Sequence, residues 1–233
     1  MPHLIAQLSD PHLRLDDEAS VRGLERAAAR VAALNPAAVL LTGDIADTGA
    51  PEEYEAAVRA LAPIQAPVYR TAGNHDRFEE RQQYVAEVEP VRLVVCDTSV
   101  PGRDDGSLDV DWIESQLEPG TPTIIAMHHP PVAMGLAWLD EIALPREQTE
   151  ALAGLLRRNP QVVRVVAGHV HLAATATLGG CSVVTCAGTH IQAVSDFDAT
   201  GMVTSREEPP SVLVHAFLDD GAVITHVVPV TPA

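Results

Sequence analysis

"VVRVVAGHVHL", residues 162–172, is a run rich in β-branched residues that ends in Gly168 and two histidines on alternate positions, His169 and His171. The run reads as a buried strand of a parallel sheet. The histidines then either cap a core strand or hold metal.

Upstream the same pattern recurs. Strand-like segments "HLIAQLSD", "AAVLLTGD", "APVYRTAGNHD", "VRLVVCD", "TPTIIAMHH" and "QVVRVVAGH" alternate with helical ones: "EASVRGLERAAARVAALNP", "PEEYEAAVRALAP", a stretch near 77–88, "LDVDWIESQL" and "REQTEALAGLLRRNP". In the first helix Val21, Leu24, Ala28 and Val31 share a face, and Asn35-Pro36 stops it. A βα series predicts an α/β fold whose front sheet is largely parallel. After His171, "LAATATLGG", "CSVVTCAG", "SVLVHAFLDDG" and "AVITHVVPV" are short strands without intervening helices, so antiparallel pairing is expected there. Residues 1–233 read as a single domain. Two loops, 130–145 and 189–210, stand out by length, and long loops in compact domains are often functional.

Composition narrows the partners. Hydrophobic residues make up 46% of the 233-residue chain and aromatics 3%, so the core must be filled by aliphatic side chains. A formal net charge of -17 argues against nucleic acid as a partner. It does not argue against a phosphorylated substrate if bound cations reverse the field locally. No apolar stretch approaches the roughly 20 residues needed to span a bilayer, so no membrane partner is expected. The start "MPHLIAQLSDPH" does not read as a signal peptide. Three cysteines, Cys96, Cys181 and Cys186, do not suggest a disulfide framework or a structural zinc. A cytoplasmic location is the expectation.

Five strand ends carry one kind of residue: Asp10-Pro11-His12, Gly43-Asp44, Gly73-Asn74-His75-Asp76, His128-His129-Pro130-Pro131 and Gly168-His169-Val170-His171. In open α/β sheets ligands bind beyond the carboxyl ends of the strands. Imidazoles, carboxylates and an amide oxygen are donors for a divalent transition ion. Asp-x-His and His-x-His put two donors on one side where the chain is extended. The glycines before Asp44, Asn74 and His169 fit sharp turns and close backbone approach. Asp10, His12, Asp44, Asn74, His128, His169 and His171 are too many donors for one four-coordinate ion. If one carboxylate bridges, they divide over two ions, and Asp44 is the best candidate because a carboxylate offers two oxygens.

In this order and at this spacing, "DPH", "GDIAD", "GNHD", "HHPP" and "GHVH" resemble the calcineurin-like metallophosphoesterases, closest to the bacterial class III cyclic nucleotide phosphodiesterases and glycerophosphodiesterases. The likeness runs from Asp10 to His171, and "AGTHIQ" and "VHAFLDDGAVITHVVPV" extend it. The resemblance implies a four-layer αββα sandwich of two mixed β-sheets flanked by helices, with a dinuclear metal site at the carboxyl ends of the strands. It further implies Asp10, His12 and His171 on one ion, Asn74, His128 and His169 on the other, and Asp44 between them. His75 would be the catalytic residue over the substrate phosphate.

Other residues keep two readings. His129, beside the ligand His128, would either support the metal-bound residues or be structural. Asp47 and Asp76 either orient loops or metal-bound imidazoles or simply cap turns. His190 either touches substrate, as Asn74 and His75 would, or is a loop histidine. Trp138 and Met134 either wall the substrate or anchor their loop. His3, His215 and His226 lie in strand patterns and read as structural.

The expected activity is metal-dependent hydrolysis of phosphodiesters, with 3′,5′-cyclic nucleotides or glycerophosphodiester-like compounds as small substrates and hydroxide activated by two divalent ions. Donors without thiolate suit Mn, Fe, Co or Zn. Alternatives are a phosphomonoesterase or nucleotidase of the same fold and a non-catalytic scaffold. A homodimer stays open.

Overall fold

The computed structural model describes residues 2–231. Its elements run β1 (His3–Leu8), α1 (Glu18–Leu34), β2 (Ala38–Thr42), α2 (Pro51–Leu61), β3 (Val68–Thr71), β4 (Tyr84–Val88), β5 (Val91–Val95), α3 (Val110–Gln116) and β6 (Thr123–Ala126). Then follow α4 (Ala137–Asp140), α5 (Arg146–Arg158), β7 (Val162–Ala167), β8 (Ala174–Leu178), β9 (Cys181–Thr185), β10 (Gln192–Ala193), β11 (Thr204–Ser205), β12 (Ser211–Phe217) and β13 (Val223–Pro229).

The βα series is shared between two mixed sheets. One has the order β13-β12-β1-β2-β3 and the other β4-β5-β6-β7-β9-β8. Within them β1-β2-β3 and β5-β6-β7 are parallel. β12 and β13 pair antiparallel beside β1, as do β4 and β8 at the two edges of the second sheet. The expectation of antiparallel pairing after His171 needs one correction: β9 is antiparallel to β8 but parallel to β7.

Alternation along each strand builds four layers. Ile5 and Leu40 meet Leu93, Ile124 and Val166 between the sheets. On the outside of the first sheet, Val39 and Leu41 pack against Leu24 and Val31 of α1 and Ala57 of α2. Ile125 and Val165 do the same for Ile113 of α3 and Leu152 and Leu155 of α5. Each fully buried Leu or Ile contributes about 1.5–3 kcal/mol relative to exposure, so strands covered on both faces hold the layers together. α1 begins where Asp17 accepts the Ala19 N–H at 3.0 Å and ends on Asn35 in the left-handed conformation, as the Asn-Pro signal implied.

The helix expected near 77–88 is absent. Residues 77–83 are irregular, and Tyr84–Val88 form a hairpin strand against β5. Glu79 to Gln83 are good helix formers, but Tyr84, Val85 and Val88 favour the sheet. Tyr84 is also tied by its hydroxyl to the Arg70 backbone of β3, at 2.9 and 3.0 Å. Tertiary pairing overrides local propensity here. The long loops also carry structure: α4 lies within 130–145, and β10 pairs with β11 within 189–210.

Candidate metal centre

The seven sequence-selected donors follow five strand ends: Asp10 and His12 after β1, Asp44 after β2, Asn74 after β3, His128 after β6, and His169 and His171 after β7. Ligand-type atoms lie within 4.8 Å of one another in four overlapping groups. These are Asp10, His12 and His171; Asp10, Asp44 and His128; His12, Asp44 and His75; and His128, His129 and His169. Asp44 Oδ2 lies 3.3 Å from both His12 Nε2 and His128 Nε2, so one carboxylate faces both sides. Asn74 Oδ1 is 3.1 Å from His128 Nε2. His169 and His171 fall in different groups.

This convergence is achieved by turning the backbone, not by keeping it extended. Six non-glycine residues among those described have positive φ, and five of them are Asp10 (49°), His12 (41°), Asp44 (49°), His169 (68°) and His171 (49°). The left-handed conformation costs a residue with a Cβ roughly 1–2 kcal/mol. It persists where the surroundings over-determine it, typically at functional sites. Here both Asp10 carboxylate oxygens accept the His169 N–H at 3.0 Å, and Asp44 Oδ1 accepts the His75 N–H at 2.9 Å.

The preceding glycines divide by role. Gly43 has a φ of 88° and turns the chain. Gly73 and Gly168 are needed for space. A Cβ on Gly73 would meet Asp44 Oδ1, and one on Gly168 would meet Ser9 Oγ and lie 2.7 Å from Asp10 Oδ2.

The ring nitrogens provide the chemical test of whether these residues suit metal. His12 Nδ1 bonds Asp47 Oδ1 at 3.1 Å, His128 Nδ1 the Thr42 carbonyl at 2.8 Å, and His171 Nδ1 the Ile191 carbonyl at 2.9 Å. A carbonyl or carboxylate oxygen can only accept, so each Nδ1 carries a proton and each Nε2 presents a lone pair whenever the ring is neutral, as in a metal-bound imidazole. His169 is reversed: its Nε2 donates to the Ile142 carbonyl at 3.2 Å, leaving Nδ1 free. Lone pairs therefore face one another, with His12 Nε2 only 3.1 Å from His171 Nε2. Crowded acceptors call for a proton or a metal cation among them, and the donor set fits divalent ions.

Without an ion, protons on His12 and His128 take the place of the cation. Burial opposes a charge on His12, yet hydrogen bonds to Asp44 and Asp47 raise it to about 10. His128, against the same burial, is raised to about 9, first by the charge of Asp44. Asp44 is held well below the usual carboxylate range despite its burial, chiefly by the charge of His128 and the His12 hydrogen bond. Burial lowers His169 and His171, keeping these imidazoles neutral.

The undecided residues now separate. His129 accepts from Thr98 Oγ1 at 2.8 Å and donates to the Asp104 carbonyl at 3.0 Å, so it has no lone pair to spare. Asp47 orients the His12 ring. Asp76 caps backbone instead, accepting from Ile45 and Ala46 at 3.1 Å and Gly73 at 2.9 Å. His75 donates from Nδ1 to the Asp47 carbonyl at 2.8 Å, and Nε2 is left free on a ring 38% exposed.

A cleft of about 920 Å³ opens over the centre, lined among others by Asn74, His75, Trp138, His190, Met202 and Arg206. His190 is buried, its loop packed against Gly23 of α1. Trp138 and Met134 both pack against Leu136, Leu139 and Val170, and Trp138 also lines the cleft. Met202 and Arg206 went unnoticed in the sequence because nothing in a loop's composition says which of its residues fold back over a site.

Similarity to known proteins identifies the family and the fold. The family model for calcineurin-like phosphoesterase matches residues 3–173. A probable glycerophosphodiester phosphodiesterase of Arcobacter nitrofigilis is 31% identical, over 82% of this chain and 77% of the relative. A probable cyclic nucleotide phosphodiesterase of Synechococcus sp. is 33% identical, over 81% of each. The fold is similar to that of a dimetal phosphatase from Danio rerio, with a TM-score of 0.71 at 15% identity over 99% of this chain and 100% of that one.

Proposed function

The chain belongs to the calcineurin-like phosphoesterase family, and from that premise we propose that it hydrolyses phosphodiesters at the strand-end centre. The observation that carries the reading is the set of histidine lone pairs turned inward around Asp44. Asp10, His12 and His171 would hold one divalent ion and Asn74, His128 and His169 the other, with Asp44 shared. What such ions supply is charge neutralisation at the phosphoryl oxygens and activation of water as the nucleophile. Oxygen and nitrogen donors suit Mn, Fe, Co or Zn.

The remaining work falls to the chain. His75 has its ring fixed through Nδ1, so Nε2 is free to hydrogen-bond a phosphoryl oxygen or to protonate the departing alkoxide. General acid catalysis of this kind is typically worth about 10²–10⁴-fold. Asn74 and His190, both in the cleft lining, would contact the substrate. Diesters are favoured over monoesters because the relatives bear the names of a glycerophosphodiester and a cyclic nucleotide phosphodiesterase. Among the described residues no helix is long and apolar enough to cross a membrane, and three buried free cysteines fit a reducing cytoplasm.

The deciding experiment reconstitutes chelator-stripped protein with each metal and compares bis(p-nitrophenyl) phosphate with p-nitrophenyl phosphate. Faster diester hydrolysis with close to two ions per chain is expected. A strong monoester preference would overturn the diesterase reading. Less than one ion per chain with no hydrolysis would favour a scaffold.

A further inference from the structure

Between the sheets the packing is largely apolar, with Gln7, His215 and Arg164 as buried polar exceptions, and of these Gln7 lies nearest the rim that carries the candidate ligands. Gln7 on β1 is fully buried; its amide nitrogen donates to Thr42 Oγ1 on β2 at 3.0 Å and to the Ala167 carbonyl on β7 at 2.9 Å. The second bond crosses from one sheet to the other. Thr42 and Ala167 are the last residues of their strands, each two residues before a candidate ligand, Asp44 and His169.

The amide is satisfied on its other side too. Its oxygen accepts from His215 Nε2 on β12 at 3.2 Å, and His215 Nδ1 accepts from Thr225 Oγ1 at 3.0 Å. Because the Ala167 carbonyl can only accept, the amide has one orientation, and His215 locks it. Thr42 passes the constraint on. Its carbonyl accepts from Ser9 Oγ at 3.2 Å and from the ligand ring of His128 at 2.8 Å. Directly opposite, Gly168 leaves so little room that a Cβ would sit 2.5 Å from the Thr42 carbonyl. The sheets are thus joined at the rim where ligands from both converge. Apolar side chains at positions 7 and 215 together would fill this space without desolvating an amide or an imidazole, so the demands of the core do not account for this polar pair.

We propose that Gln7 is a positioning residue: it sets the separation between the ligands carried by β1, β2 and β3 and those carried by β6 and β7, and so decides whether two ions are held as a pair. The inference rests on the two-ion reading above.

The test is a Mn(II) titration of chelator-stripped protein followed by electron paramagnetic resonance, which distinguishes isolated ions from an exchange-coupled pair. The unsubstituted protein should show the pair. Gln7→Met should bind its first ion within about threefold of normal, lose roughly 10–100-fold in affinity for the second, and retain the isolated-ion spectrum. Leu93→Ala, in the same inter-sheet layer but on a strand without ligands, should lower the melting temperature yet keep the coupled pair. A coupled pair in Gln7→Met overturns the proposal, and so does its loss in Leu93→Ala, which would make the effect one of general stability. If Gln7→Met does not fold, His215→Leu takes its place. It frees the amide, should weaken the second ion at least about threefold, and overturns the proposal if it does not. Fewer than two ions in the unsubstituted protein would overturn the metal-centre reading itself, a result distinct from any of these.

Discussion

Of the four rings that present lone pairs to the centre, three are fixed by backbone carbonyls: His128 by Thr42, His169 by Ile142 and His171 by Ile191. No side-chain substitution removes those acceptors. His12 alone is held by a carboxylate, Asp47, at 3.1 Å, so Asp47→Asn is the one conservative change that alters the support of a single ring. The amide oxygen can still accept from Nδ1, and what is lost is the charge. A hydrogen bond to a charged partner contributes about 1.5–3 kcal/mol and a neutral one about 0.5–1.5. The difference, roughly 1–1.5 kcal/mol, is about tenfold in affinity, within the range of about 10–100-fold found for groups that orient metal-bound histidines. Asp47→Asn should therefore weaken the ion served by His12 about tenfold. The ion served by His128 and His169 should change less than about twofold. Calorimetric titration of stripped protein with Mn(II) resolves the two steps. Equal weakening of both ions, or of neither, would refute the link between Asp47 and His12.

Other consequences are simpler to read. Asp76→Ala orphans three buried N–H groups on the loops after β2 and β3; at about 1–3 kcal/mol for each unsatisfied group, urea unfolding of the metal-free protein should lose at least about 3 kcal/mol. A loss below about 1 kcal/mol would mean that Asp76 does not tie these loops. Gly168→Ala has no room beside Ser9, Thr42 and Asp10, whereas Gly201→Ala meets nothing within 4 Å. The first should abolish Mn(II) binding and the second leave it unchanged, as equilibrium dialysis would reveal. Burial pushes His215 down to about 3. Between that value and the unfolded pKa near 6.5 only the unfolded chain takes up this proton, so stability falls as pH drops through the window, at about 1.4 kcal/mol per pH unit. His215→Gln should reduce that slope in urea midpoints from pH 6.5 to 4, and an unchanged slope would show that His215 does not titrate in this way.

The parts of the molecule that were legible in the sequence share a physical feature: they depend on periodicity or on residue type. Aliphatic runs ending in Asp, Asn or His marked β1, β2, β3, β6 and β7, and the ligand-type residues that follow them do meet at one rim. What stayed hidden depends on the partner strand. Tyr84 to Val88 follow a helix-forming stretch yet pair with β5, and a buried glutamine in "LIAQLSD" looks like any polar residue on an alternating strand until Ala167 is seen across the gap.

The least predictable feature is also the most informative. Extended geometry was the natural reason to expect Asp-x-His and His-x-His to aim their donors together, yet Asp10, His12, His169 and His171 are all left-handed. That twist is what divides His169 and His171 between groups, because an extended chain would have turned both to the same side. Sequence spacing alone therefore indicates metal ligation without indicating which ion each ligand serves. The separation of His169 and His171 into different groups goes with backbone strain, and the strain is sustained by contacts that start in other strands: Asp10 on the His169 N–H, and Asp44 on the His75 N–H. A chain that held these turns only to complete its fold would have placed glycine there. Keeping side chains at five strained positions, all pointing lone pairs or carboxylates inward, is explained by the cation they would surround.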